Sequence, residues 1–297
     1  MYEKFYGLKE TPFRMTPDSK FFYPSPKHTE ALSSLLYTIQ QRKGFVVITG
    51  EIGAGKTTVC QALLRKLDFN TKVARIFNTH LTNRELLVAV LEDLEIPYQM
   101  GTKGKLLSQL YDYLITQAFS GINVVILIDE AQNMTPTVLE EVRMLSNLET
   151  EKEKLIQIVL VGQPQLQDKL KMPKLEQLRQ RVVLHYHITP LNVQETKEYV
   201  RHRLDVAGGN PETFHEEALD RVYAFSKGVP RLVNLICDGA LLSGFLYNQK
   251  RITLEIMDEV MREAPLQIQR SGEALSSEEN ITILEKEELR GKDHRST

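Results

Sequence analysis

Five apolar runs punctuate the chain: "FVVIT" (45–49), "VARIFN" (73–78), "VVILID" (124–129), "IQIVLVG" (156–162) and "VVLHYHI" (182–188). Several are unbroken β-branched stretches, the composition of strands buried on both faces of a parallel sheet. Between them apolar residues recur at helical spacing over 56–67, 82–95, 105–119 and 136–148. A further helical stretch, 28–42, precedes the first run and carries Leu32, Leu35, Leu36 and Ile39 on one face. Thr82 and Glu85 stand as a capping box at the start of the second of these helices. Such alternation predicts an open α/β sheet with helices on both sides.

The pattern changes after Pro190. Four helical periods follow, over 192–206, 215–226, 230–248 and 253–263, with no strand between them, so a small all-helical domain is expected there. Residues 1–27 are rich in aromatics and prolines (Phe5, Tyr6, Phe13, Phe21, Phe22, Tyr23, Pro24, Pro26). That composition predicts no regular helix, yet it is too apolar to float free, so the segment reads as an extended strap over the body. Residues 265–297 read as a disordered acidic tail, with "ITILEKEEL" a stretch suited to docking. The resulting division is a strap (1–27), an α/β core (28–189), a helical lid (190–264) and the tail.

Composition narrows the class. With 42% hydrophobic and 26% charged residues, the chain has the make-up of an ordinary soluble globular protein. It has no apolar stretch near the roughly 20 residues a membrane span needs and no basic-then-apolar N-terminus of the signal-peptide kind. Cys60 and Cys237 both fall in amphipathic helical patterns, which suits small buried side chains better than a bridge. A cytoplasmic protein is expected. Net charge is -2, and residues 266–297 carry five Lys/Arg against seven Asp/Glu, so the rest of the chain balances to zero. That balance excludes a whole-surface attraction to nucleic acid and leaves only local basic patches.

The chemistry begins at "TGEIGAGKTT" (49–58), which joins the first strand to the following helix. Gly50, Gly55, Lys56 and Thr57 fit the G-x-x-x-x-G-K-[ST] pattern in the strand-to-helix context it requires. Glycines at 50, 53 and 55 open backbone conformations closed to other residues, so that successive N–H groups converge on phosphate oxygens. The start of the 56–67 helix adds its unpaired N–H groups and the positive end of its dipole. The cradle covers Gly50, Glu51, Ile52, Gly53, Ala54, Gly55, Lys56, Thr57 and Thr58. Lys56 is expected to reach the β/γ-phosphates and Thr57 to ligate Mg²⁺.

"VVILIDEAQ" (124–132) is an apolar strand ending in two adjacent carboxylates. Adjacent strand residues point to opposite sides, so Asp129 and Glu130 are expected to divide the work. Asp129 suits the Mg²⁺ shell, and Glu130 suits polarising an attacking water. "VLVGQP" (159–164) presents Gln163 at the end of another strand, "LRQRV" (178–182) places Arg179 and Arg181 before the last strand, and "GVPRLVN" (228–234) places Arg231 at the first turn of a lid helix.

Together "GEIGAGKT", "ILIDEAQ", "LVGQP", "LRQRV", "TPLNVQETKEYVRHRL" and "GVPRLVN" resemble the AAA+ ATPases. More narrowly, with the opening "FYGLKETPF…TPDSKFFYPSPKHTEAL", they are similar to the ExeA/GspA (general secretion pathway protein A) group and its MSHA-pilus and exopolysaccharide-locus relatives. The resemblance spans about residues 1–264. It implies a three-layer AAA+ core with a parallel sheet plus a helical lid, ATP at their junction, and a ring or other homo-oligomer. It also implies Gln163 as the sensor-1 residue, Arg231 as the lid's sensor-2 arginine, and Arg181 or Arg179 as the finger that reaches a neighbour's γ-phosphate. Gln163 departs from the Asn or Thr more usual at sensor 1. Longer members of the group carry a membrane span and a periplasmic peptidoglycan-binding domain, for which this chain shows no counterpart, so it reads as the motor alone.

Two uses of such a motor are open, of which the resemblance favours the first. One is an ATPase supporting secretion, pilus or polysaccharide export through a membrane-associated protein partner. The other is a DNA-associated regulator of the transposition type, for which "KLKMPKLEQLRQR" (169–181), with Lys169, Lys171, Lys174, Arg179 and Arg181, is the basic stretch to inspect. A solvated loop and helix plus the finger is the favoured reading of that stretch, and no helix-turn-helix or winged-helix domain follows the lid. A partner-binding switch that barely hydrolyses fits poorly with an intact Glu130. His185 and His187 share a strand face, yet neither they nor His202 and His215 have an acidic or cysteine partner at ligand spacing, so no metal besides Mg²⁺ is expected.

Overall fold

The structure, a computed structural model, describes residues 1–151 and 153–270. Five strands, β1 (Phe45–Gly50), β2 (Thr71–Ile76), β3 (Asn123–Ile128), β4 (Gln157–Gly162) and β5 (Val182–Ile188), form one sheet in the order β2-β3-β4-β1-β5. Every pairing is parallel. β1, β3 and β4 are buried along their whole length, as their unbroken apolar runs require. β5 lies at an edge and its exposure alternates with the His and Tyr positions of "VVLHYHI". β2, the other edge, starts and ends two residues earlier than the pattern implied.

The two faces of the sheet build two cores. On one, Val46, Ile48, Val125, Leu127, Val159 and Val161 pack with α2 (Pro26–Gln40) and α3 (Lys56–Lys66). On the other, the alternate positions Val47, Ala74, Ile126, Ile158 and Leu160 pack with α4 (Asn83–Asp93), α5 (Lys103–Phe119) and α6 (Pro136–Leu145). Local chemistry sets the helix starts. Ser25 caps α2 through its Oγ with Pro26 behind it, Thr82 and Glu85 close a reciprocal capping box on α4, and Thr135 with Pro136 starts α6.

After β4 come α7 (Pro164–Leu170) and α8 (Glu176–Arg181), and after β5 a helical part with α9 (Val193–Val206), α10 (Glu216–Ser226), α11 (Pro230–Leu246) and α12 (Leu254–Arg270). Asn192 and Glu195 form a second capping box at α9. The helix expected over 253–263 runs on to Arg270, past Pro265. A proline removes one N–H donor and crowds the preceding turn, which is why the sequence pattern stopped short of it; the helix continues nonetheless. The acidic stretch from 271 onward, with "ITILEKEEL", lies outside the described residues.

The N-terminal strap departs from expectation in two ways. It contains one helical turn, α1 (Glu3–Tyr6), closed by Gly7 in the left-handed region (φ 70), and a 3-10 turn at Ser19–Phe21 capped by Asp18. It also has a definite home, because Tyr2, Leu8, Phe13 and Phe21 belong to the core of the helical part, among Tyr199, Phe214, Val233 and Ile236. Backbone bonds tie it down as well, with Lys9 N donating to Ala207 O at 2.8 Å. The strap is therefore a structural member of the lid that runs back to the sheet through Pro26.

Candidate active site

β4 separates β1 from β3, and the register makes their carboxyl ends nearly level: Thr49 pairs with Gly162 and Ile128 with Leu160. Three sequence-remote segments therefore meet at one rim of the sheet, the place where open α/β folds bind ligands.

The glycine-rich turn leaves β1 at Gly50. Gly53 (φ 77) and Gly55 (φ 97) occupy the left-handed region, as a converging loop demands. Gly50 does not; a Cβ there would stand 2.7 Å from Ile188 O of β5, so its glycine is required by close approach of the neighbouring strand. Lys56 opens α3, is 6% exposed, and donates from Nζ to Gly50 O at 2.8 Å and Glu51 O at 2.9 Å. Burial lowers its pKa, and Glu130 and Asp129 oppose that shift. His28 of α2 braces the turn from outside. Its Nε2 lies 3.1 Å from Ala54 O, its Nδ1 lies 2.6 Å from Ser25 Oγ, and burial holds its pKa below the ordinary histidine value.

Asp129 follows β3 and is almost wholly buried. Thr57 Oγ1 donates to its Oδ2 at 3.3 Å and Glu130 N to its Oδ1 at 2.9 Å. Burial raises its pKa. A buried carboxylate facing a threonine hydroxyl is a set of hard oxygen donors, the kind that Mg²⁺ takes. Glu130 sits in the left-handed region (φ 52), a conformation costing a non-glycine residue on the order of 1–2 kcal/mol. Its Oε2 accepts from Gln163 Nε2 at 3.2 Å and from Gln132 Nε2 at 2.5 Å.

A cavity of about 480 Å³ lies between the sheet rim and the helical part. Ile52, Gly53, Gly55, Lys56, Thr57, Thr58, Glu130, Gln163 and Arg231 all contribute to its wall. Arg231 enters from the first turn of α11, with its N donating to Gly53 O at 3.4 Å. Gly53 is tight for the same reason, since a Cβ there would meet Arg231 Cβ at 2.7 Å. The far wall comes from the strap, by Arg14 to Asp18 and Phe21 to Tyr23, and from the lid, by Leu191, Tyr199, Arg203 and Asn234. Arg203 is 6% exposed, donates to Pro12 O at 2.5 Å and to Tyr199 Oη at 2.8 Å, and stacks on Phe21 with its centre 4.8 Å from the ring. Asn234 accepts from Tyr199 Oη at 2.8 Å and donates to Arg14 O at 3.3 Å.

Arg179 and Arg181, in the last turn of α8, stand apart from this cavity. Arg179 is exposed and Arg181 is half-buried near Glu149. Of the basic stretch 169–181, Lys169 is spent internally, its Nζ donating to Met134 O at 2.7 Å and to Gln132 O, and Lys171 pairs with Asp168 at 2.9 Å. Cys60 and Cys237 are free and buried. His185 Nε2 and His187 Nδ1 each lie 3.0 Å from Thr49 Oγ1, and among the described residues no cluster of three or more His, Cys, Asp or Glu forms a metal site. No helix among the described residues is long and apolar enough to cross a membrane.

Sequence reasoning missed Gln132, His28, Tyr199, Arg203 and Asn234. Gln132 had a signal, standing two places after Glu130 in "DEAQ". The others are single polar or aromatic positions in helical patterns, and only folding brings them to the cavity.

Comparison with known proteins agrees with this geometry. Residues 39–170 match the family described as AAA domain. General secretion pathway protein A of Aeromonas hydrophila is 46% identical over 253 residues, covering 85% of this chain and 46% of that protein. This chain thus spans about half the length of that curated relative. Among solved structures, the Aeropyrum pernix ORC2 protein in its ADPNP-ADP complexes superposes with a TM-score of 0.61 at 16% identity, over 84% of this chain and 72% of its own. The Thermotoga maritima RuvB Holliday junction branch migration motor does so with a TM-score of 0.55 at 16% identity, over 78% and 68%. The parallel five-stranded sheet, its helical C-terminal part and these likenesses make the chain an AAA-domain protein of the P-loop fold, related to general secretion pathway protein A.

Proposed function

We propose that the chain is a Mg²⁺-dependent AAA+ ATPase that works as a homo-oligomer in an envelope process: secretion, pilus assembly or polysaccharide export. The observation that carries the reading is convergence on one cavity. The glycine turn, Lys56, Thr57 and Glu130 arrive from β1, α3 and β3 around about 480 Å³, a volume in the range of small-ligand sites, with Asp129 accepting from Thr57 behind the wall.

In this reading the N–H groups of residues 51–58 and the start of α3 hold the phosphates of ATP, and the Lys56 ammonium exchanges its carbonyl partners for β/γ oxygens. Thr57 and Asp129 hold Mg²⁺, which when bound neutralises charge on the β- and γ-phosphates. Glu130 takes the proton of the attacking water, with Gln163 beside it. Arg231 closes on the phosphates from the lid. The strap, with Met15 and Phe22, walls the base end. Arg179 or Arg181, held away from the chain's own cavity, serves a neighbour's site in trans, which couples hydrolysis to assembly.

The envelope assignment follows from the relationship to general secretion pathway protein A. It implies a membrane-associated protein partner and work at the inner face of the membrane. The internal engagement of Lys169 takes one cation out of the basic stretch, which speaks against the DNA-associated alternative.

Steady-state ATPase rate against protein concentration, with and without double-stranded DNA, tests the proposal. Specific activity is expected to rise with concentration and to ignore DNA. Strong stimulation by DNA would move the function to a DNA-associated regulator, and no turnover at any concentration would overturn the ATPase reading. Arg181→Ala is expected to cut turnover with nucleotide affinity kept, and mixing it with Glu130→Gln to restore part of the rate; absence of recovery would remove Arg181 as the trans residue.

A further inference from the structure

Gln132 contributes nothing to the cavity wall, yet it touches both residues that flank the reaction there. Its amide is used at both ends. Nε2 donates to Glu130 Oε2 at 2.5 Å, and Oε1 accepts from the backbone N of Gln163 at 3.0 Å. Gln163 completes the loop by donating from its own Nε2 to the same Glu130 oxygen at 3.2 Å. Three residues from the ends of β3 and β4 thus form one closed hydrogen-bonded triangle.

The surroundings hold Gln132 in place. Gly162 leaves room for it, since a Cβ there would meet Gln132 Oε1 at 2.8 Å. Lys169, at the far end of the helix that Gln163 caps, donates to the Gln132 and Met134 carbonyls and so fixes the 3-10 turn Ala131–Asn133 that carries the glutamine. Glu130 needs such a hold. Its left-handed backbone is unfavourable for a non-glycine residue, and such conformations persist where the surroundings over-determine them. Both amide donors fall on Oε2, and Glu130 itself lines the cavity.

We propose that Gln132 is a positioning residue for hydrolysis: it clamps Glu130 to the Gln163 strand end so that one carboxylate oxygen stays aimed at the attacking water. The clamp rests on Glu130 being the general base. It acts through geometry alone: one end of the Gln132 amide holds Glu130 Oε2 and the other holds the Gln163 backbone, which ties the carboxylate to the end of β4. A misplacement of about 1 Å can cost about 100-fold in rate.

The test is Gln132→Met, which keeps volume and removes both hydrogen bonds, measured beside Glu130→Gln and the double variant. Expected is a fall of kcat by about 10-fold or more, with ATP affinity, thermal midpoint and oligomeric state unchanged. In the Glu130→Gln background the same change is expected to add nothing, because the clamp acts only through Glu130. A second cycle of Gln132→Met with Gln163→Met is expected to be strongly non-additive. Wild-type or raised kcat in Gln132→Met, with Glu130→Gln inactive, would overturn the clamp and leave the base intact. An equal loss of ATP affinity or of thermal midpoint would make Gln132 structural. Normal turnover in Glu130→Gln would remove the base and the clamp together.

Discussion

The two walls of the cavity are built on opposite principles. The sheet-side wall comes from short motifs at the ends of β1, β3 and β4, where a residue's task follows from its few neighbours in sequence. The lid-side wall is made by contacts across most of the chain: Arg203 bonds Pro12, Asn234 bonds Arg14, and Tyr2 bonds Asp238. In the proposed reading the sheet side carries the reacting groups, and the strap and lid together supply an enclosure. Tyr2, Leu8, Phe13 and Phe21 are packed into the lid core while Phe22 packs against the sheet-side core, so the strap bridges the two walls before α2 begins at Pro26.

Substitutions can break that division. The largest effect is expected from Glu130→Gln, which removes a base that contributes about 100-fold or more while leaving its shape. ATP should bind and persist unhydrolysed in rapid-quench measurements, and normal turnover would contradict the division. Next comes Lys56→Ala, expected to weaken nucleotide binding by about 100-fold through loss of a charge-assisted partner to the phosphates; titration calorimetry with a non-hydrolysable analogue measures it.

On the lid side, Phe13→Ala deletes a ring that is 1% exposed and packs edge-on to Phe214 with centroids 6.2 Å apart. A loss of about 3–5 kcal/mol is expected in denaturant unfolding. Nucleotide affinity should fall with it as the enclosure loosens, while bound ATP in the folded fraction is hydrolysed at a normal rate. A slowed chemical step in single turnover would show that the two walls are not separable.

The smallest effect is a pH slope. Burial lowers the pKa of His28, His185 and His202 below the ordinary value of 6.5. The unfolded chain therefore binds more protons just below that value, so stability rises with pH through this window and is lost as pH falls below about 6.5. Asp129 runs the other way, because its pKa is raised, so its ionisation at higher pH costs the ligand-free fold stability. His28→Gln is expected to flatten part of the histidine slope in thermal melts between pH 5 and 7, leaving the shares of His185 and His202. An unchanged slope would place His28 outside the titrating set.

Legibility follows the same division. Lys56, Thr57, Asp129 and Glu130 could be named from short segments because a strand that ends in a turn fixes what the next residues can reach. The strands and most helices were equally readable, since a residue buried on a parallel sheet or a helix face repeats with a fixed period. The strap was readable as apolar and non-helical in the main, though not where it packs, and its helical turn at Glu3–Tyr6 is too short for any periodicity to declare. At Gly50 the expected left-handed backbone is absent, and the need for glycine comes instead from closeness to Ile188 O, on a strand far away in sequence.

By itself, then, the sequence determined the alternation of strands and helices, the phosphate-type turn and the pair of carboxylates, all of which depend on periodicity and local backbone conformation. Tertiary structure decided that β4 lies between β1 and β3, which sets Gln163 against Glu130 and gives Gln132 two partners. It also decided that the first residues of the chain complete the helical core built from Leu191 to Val260. Strand order and long-range docking depend on how faces fit in three dimensions, and no local period carries that information.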